Sequence, residues 1–132
     1  MIHVVLVDDS PEYREILNTT LEWDEEIMVI GNATNGFEAL TLCDMSVPDL
    51  VLMDFLMPLC DGITGTKLIK ERYPAVKVLV MTGLGNEQNL SKALESGADG
   101  YFMKGIETPK LRDAIKDTVA GKSTIDEDIF IP

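Results

Sequence analysis

Cysteine is scarce in this 132-residue chain, where Cys43 and Cys60 are the only two. Their spacing fits no zinc site and two thiols make no disulfide framework, so both read as reduced structural thiols of a cytoplasmic protein. Histidine is scarcer still. His3 stands alone beside the first apolar run and reads as a strand residue rather than a ligand. No apolar stretch approaches the roughly 20 residues a membrane-spanning helix needs, and the N-terminus lacks the charged start and cleavage site of a secretory signal. Bases are outnumbered, with 11 Lys and Arg against 23 Asp and Glu and a net charge of −12. Such a surface repels phosphate backbones, which argues against nucleic-acid binding by this segment itself. Repeats and low-complexity tracts are missing too. What is there, 45% of it hydrophobic, suffices for one globular domain with a proper core.

The chain alternates between two periods. Strand-like apolar runs lie at Ile2 to Val7, Met28 to Ala33, Leu50 to Met53, Val76 to Met81 and Gly100 to Met103. Helical stretches separate them. The first puts Ile16, Leu17 and Leu21 on one face, with Ser10 as N-cap and Pro11 at the first helical position. The second holds Phe37 and Leu40, and the third Leu68 and Ile69. The fourth, Asn86 to Ser96, offers only Leu90, Ala93 and Leu94 as anchors, which predicts a less stable part of the fold. The fifth carries Leu111, Ala114, Ile115 and Val119 and stops at Gly121. Repeated β-then-α units predict an α/β fold, a five-stranded parallel sheet with helices on both faces. Residues 1–121 then form the domain. Periodicity fails from Lys122, so 122–132 reads as a tail or the start of a linker.

Acids break the pattern where the strands end. Asp8 and Asp9 follow the first run directly, and Asp54 closes the third. Adjacent carboxylates repel each other and are costly to desolvate, so they must stay in water or share a cation. Open α/β sheets bind ligands at the carboxyl ends of their strands. The fourth strand ends in Thr82 and the fifth in Lys104, so three acids, a hydroxyl and an amine converge on one edge. A hard dication such as Mg²⁺ takes one or two carboxylates and keeps several waters. With that charge in place a carboxylate can attack phosphorus, and an amine and a hydroxyl can take phosphoryl oxygens. Each signal alone is weak, since an acid pair after a strand is often a capping turn. Their joint placement is the argument.

At these residues the chain resembles the receiver domain of two-component response regulators, from about Ile2 to Gly121. The motifs that carry the resemblance are VVLVDDS (Val4 to Ser10), PDLVLMDFLMPLCDG (Pro48 to Gly62), VLVMTG (Val78 to Gly83) and GADGYFMKG (Gly97 to Gly105). The resemblance implies a flavodoxin-like doubly wound sheet of strand order 2-1-3-4-5. It implies Asp54 as phosphoacceptor, with Mg²⁺ bound by Asp9, Asp54 and the backbone carbonyl of Leu56, and by Asp8 through water. Thr82 and Lys104 would contact the phosphoryl group, and Thr82 and Tyr101 would form the switch. The partner implied is a sensor histidine kinase, with a phosphorylation-dependent homodimer as a further state. The protein would be a signalling switch that assists its own phosphorylation and dephosphorylation, rather than an enzyme.

Glycine rather than proline follows Lys104, and the fifth helix ends AIKDTVAGKS, as in receivers of the LuxR and NarL type that precede a DNA-binding domain. Two readings stay open, a receiver segment of a transcription factor and a stand-alone receiver. Leu56 and Leu84, each two residues beyond a site residue, disfavour an ordered attacking water and predict slow self-dephosphorylation. Three rivals are weaker. A phosphohydrolase needs an acid where Leu56 stands, a flavodoxin-like electron carrier needs a glycine- and hydroxyl-rich loop where DDSPEY stands, and a degenerate receiver would lack part of the set.

Overall fold

Strands buried on both sides are apolar along most of their length, and that is how the central strands of this chain form one sheet. In the computed structural model, which describes residues 1–83, 87–122 and 124–125, β1 (Ile2–Val7) leads into α1 (Pro11–Glu22) and β2 (Ile27–Ala33). Next come α2 (Gly36–Met45), β3 (Leu50–Asp54), α3 (Gly62–Arg72) and β4 (Lys77–Thr82). The chain continues through α4 (Glu87–Glu95), β5 (Gly100–Met103), α5 (Thr108–Val119) and a two-residue β6 (Thr124–Ile125). The sheet is parallel throughout, in the order β2-β1-β3-β4-β5-β6. Its first five strands follow the predicted order 2-1-3-4-5. The sixth strand corrects the expected five, because the start of the tail pairs with β5, Tyr101 standing opposite Ile125.

Alternation along each strand feeds two cores. Val5, Val7, Val51, Met53, Val78 and Val80 pack towards the layer that holds Ala39 and Cys43 of α2, Ile69 of α3 and Ala93 of α4. Val4, Leu6, Leu50, Leu52, Leu79 and Met81 face Leu17 and Leu21 of α1 and Leu111, Ala114 and Ile115 of α5. Three predicted anchors turn outward instead. Ile16 and Phe37 are exposed, because Leu17 with Leu21, and Ala39 with Cys43, already fill the inward stripes of α1 and α2, and Leu94 is exposed where Leu90 and Ala93 face the core from α4.

Helix starts follow the expected chemistry. Ser10 caps α1, its Oγ accepting from the Tyr13 amide at 3.2 Å, with Pro11 in the first turn. Asn35 caps α2 and Asp61 caps α3 in the same manner, at 3.0 and 2.8 Å. Where α2 crosses α3, Gly36 and Gly65 permit near contact of the two backbones: a Cβ on either would lie 2.8 or 2.9 Å from the other's Cα.

Candidate functional site

Register brings the predicted residues to one edge. Val7 of β1 stands opposite Met53 of β3, so Asp8 and Asp54 follow side by side. Asp54 pairs with Met81, and Thr82 with Met103, which carries Thr82 and Lys104 to the same edge. The Lys104 amide donates to the Thr82 carbonyl at 2.7 Å, locking the ends of β4 and β5 together. Carboxylate oxygens of Asp8, Asp9 and Asp54 all lie within 4.8 Å of one another. Asp8 and Asp54 are buried and Asp9 is exposed.

One amine meets this charge. Lys104 Nζ lies 2.7 Å from Asp8 Oδ2 and 3.2 Å from Asp54 Oδ1. Asp54 is nevertheless pushed up to about 6, by burial first and by the Asp8 charge second; Lys104 pulls the other way and loses. For Lys104, burial opposes the charged form, but Asp8 and Asp54 outweigh it and the amine titrates above its ordinary value. The site therefore holds more negative charge than its own lysine neutralises.

That surplus is the fit test for a divalent cation. The donors are all oxygen, as Mg²⁺ prefers, and the carboxylates are close enough to share one ion. Asp8 is the least available of them. Its Oδ1 accepts from the Ser10 amide at 2.8 Å while its Oδ2 faces Lys104, an arrangement that suits an outer-sphere role. Asp9 and Asp54 would hold the ion. Leu56 lies exposed in the loop beyond β3, two residues from Asp54.

That loop is tightly held. The Gly62 amide donates to the Phe55 carbonyl at 3.0 Å, and a Cβ on Gly62 would fall 2.1 Å from the Asp54 carbonyl oxygen. Leu59, at its tip, has φ of 69°, a left-handed conformation that a leucine adopts at a cost.

Thr82 is buried at the end of β4. Tyr101 is fully buried: β6 covers β5, so β5 is not the edge of the sheet. Burial raises the tyrosine's pKa, and the Thr82 side chain beside it partly offsets this. Among the described residues the Tyr101 hydroxyl makes no hydrogen bond of normal geometry. Leu84 lies outside the described residues.

Two residues of the site escape sequence reasoning. The ring of Tyr13, on the first turn of α1, stands 4.6 Å from Lys104 Nζ. Arg14 Nη1 donates to the Asp8 carbonyl at 2.5 Å. Their only sequence signal is position, since the first turn after the Ser10 cap must lie against the end of β1.

Comparison with known proteins gives the family. The profile of the response regulator receiver domain matches residues 4–116. The chain belongs to that family. It is 41% identical over 116 residues to the chemotaxis protein CheY of Halobacterium salinarum, a span covering 88% of this chain and 95% of that one. It is 39% identical to the transcriptional regulatory protein LnrK of Bacillus subtilis, over 92% of this chain but only 55% of that protein. Among solved structures, a LuxR-family two-component response regulator from Aurantimonas sp. superposes with a TM-score of 0.93 at 32% identity, covering 98% of this chain and 92% of the other. The neighbours of this receiver thus include both a chemotaxis protein and LuxR-type regulators. No helix among its described residues is long and apolar enough to cross a membrane.

Proposed function

We propose that this receiver accepts a phosphoryl group on Asp54 from a sensor histidine kinase. The observation that carries the reading is a buried carboxylate at a strand end, flanked by two further acids and a lysine. Asp9, Asp54 and the Leu56 carbonyl would hold Mg²⁺, with Asp8 as an outer partner, and the ion would supply charge neutralisation for the incoming phosphoryl group. A carboxylate oxygen of Asp54 attacks phosphorus while the bond to the donor nitrogen breaks. Phosphorylation removes the charge of the Asp54 carboxylate itself, which frees Lys104 to follow the negative charge onto a phosphoryl oxygen. Thr82 takes another. Thr82 and Tyr101 act as the switch, and the surface of α4, β5 and α5 changes with them, a population shift biased by the new phosphoryl contacts.

In this reading residues 1–121, with β6 at Thr124–Ile125 added to their sheet, are the receiver unit, the protein works in the cytoplasm, and the switched surface serves a homodimer and a transcriptional output. A longer regulator carrying a DNA-binding domain is supported by the relative of which this chain spans only about half. The net charge of −12 favours DNA contact by such a domain rather than by this one.

Calorimetric titration with Mg²⁺ tests the metal assignment. Wild type is expected to bind one ion, Asp9→Asn to bind it at least tenfold more weakly, on the order of what loss of a charged ligand costs. Equal binding by the variant contradicts it. Slow loss of the phosphoryl group follows from Leu56, and from Leu84 in sequence. The double substitution Leu56→Asn, Leu84→Glu should speed decay several-fold once the phosphodonor is removed by desalting, with Mg²⁺ kept saturating; an unchanged half-life sinks this part of the proposal.

A further inference from the structure

The ion pairs of Lys104 with Asp8 and Asp54 are assigned to phosphoryl chemistry, but the aromatic ring against Lys104 is not. Tyr13 is built into the same turn as Asp8. Its amide donates to Ser10 Oγ at 3.2 Å, the Ser10 amide donates to Asp8 Oδ1 at 2.8 Å, and neighbouring Arg14 holds the Asp8 carbonyl. The ring stands 4.6 Å from Lys104 Nζ, within the range where the face of an aromatic attracts an ammonium. The Gly105 amide faces its hydroxyl, and Gly105 itself takes the left-handed turn, φ 90°, that follows Lys104. Lys104 is therefore held on three sides, by two carboxylates and a ring.

The three holds respond differently to phosphorylation. Attraction to Asp54 vanishes when its oxygen becomes part of an acyl phosphate. The hold of Asp8 weakens when that acid is shared with a cation. Attraction to the ring depends on neither event. We propose that Tyr13 is a positioning residue for Lys104, keeping the ammonium against the reacting oxygens while its carboxylate partners change charge. The role needs the ring and not the hydroxyl. It rests on the assignment of Asp54 as phosphoacceptor.

The test compares wild type, Tyr13→Phe and Tyr13→Leu for the rate of adduct formation with acetyl phosphate and Mg²⁺. It adds the proton shifts of the Lys104 side-chain methylenes by NMR. Tyr13→Leu is expected to react about threefold to tenfold more slowly, the range that loss of a partly buried cation–aromatic contact gives. Tyr13→Phe should stay within about twofold of wild type, since the phenyl face attracts an ammonium similarly. The upfield ring-current shift of the Lys104 methylenes should persist in Tyr13→Phe and disappear in Tyr13→Leu, an effect that general loosening of α1 would not produce selectively. An unchanged rate in Tyr13→Leu, or a loss in Tyr13→Phe equal to that in Tyr13→Leu, overturns the positioning role while leaving Asp54 as acceptor. No adduct on wild type overturns the Asp54 assignment and this proposal with it.

Discussion

Asp54→Asn is expected to stabilise the metal-free protein by about 1–3 kcal/mol, although it removes the partner of an ion pair. Burial and Asp8 together push Asp54 from 3.8 to about 6, so its charged form costs more in the folded chain than Lys104 returns. An amide of the same shape removes that cost. The sign with pH follows. For a carboxyl raised in the folded state, the penalty is full above about 6 and is relieved as pH falls towards 3.8, because the folded state takes up the proton first. Urea denaturation in EDTA should therefore show the variant ahead at pH 7.5, with the gap narrowing below pH 6. Saturating Mg²⁺ should reverse the order, since the ion stabilises the folded form that binds it and wild type binds it better. A variant less stable than wild type in EDTA at neutral pH contradicts the electrostatic picture of the site.

Gly62→Ala is expected to cost about 3 kcal/mol or more, in the class of substitutions that force overpacking against rigid neighbours. The new methyl would fall 2.1 Å from the Asp54 carbonyl oxygen and 3.0 Å from its carbonyl carbon. These are backbone atoms, with no flexible side chain to give way. The loop must move, and Asp54 moves with it, so both stability and phosphoryl uptake should fall. Gly83→Ala is the control. It follows Thr82 directly, but its Cβ would meet nothing within 4 Å. Denaturation of the pair should separate them clearly; equal stability of the two variants would contradict the packing described for the β3–α3 loop.

Strand ends were readable because burial on both sides leaves no place for a charge inside a parallel sheet. Asp8, Asp54 and Lys104 each stand where such a run stops, and register carries them to one edge. The number of strands was not readable. Thr124 and Ile125 show no periodicity of their own, and β6 exists because Gly100 has no Cβ: one placed there would lie 2.3 Å from Thr124 Oγ1. A hydroxyl contact of 2.6 Å between Thr118 and Thr124 ties the same strand to α5. That docking is also why Tyr101 is fully buried, a consequence invisible until β5 ceases to be an edge. The outward turn of Ile16 and Phe37 was hidden for a different reason, since adjacent apolar residues compete for one stripe and period alone does not choose between them. Tyr13 against Lys104 joins residues far apart in sequence, and only the folded edge brings them together.

Trp23 makes a poor reporter for any of this. It caps the far end of a 12-residue helix that starts beside the site, about 18 Å away along the axis, and its side chain is largely exposed. The central claim is better read by mass. Intact mass after incubation with acetyl phosphate and Mg²⁺ should show one phosphoryl adduct on wild type, labile to hydroxylamine as an acyl phosphate is, and none on Asp54→Asn. An equal adduct on both proteins, or none on a wild type that demonstrably binds Mg²⁺, would contradict the assignment of Asp54 as the phosphoacceptor.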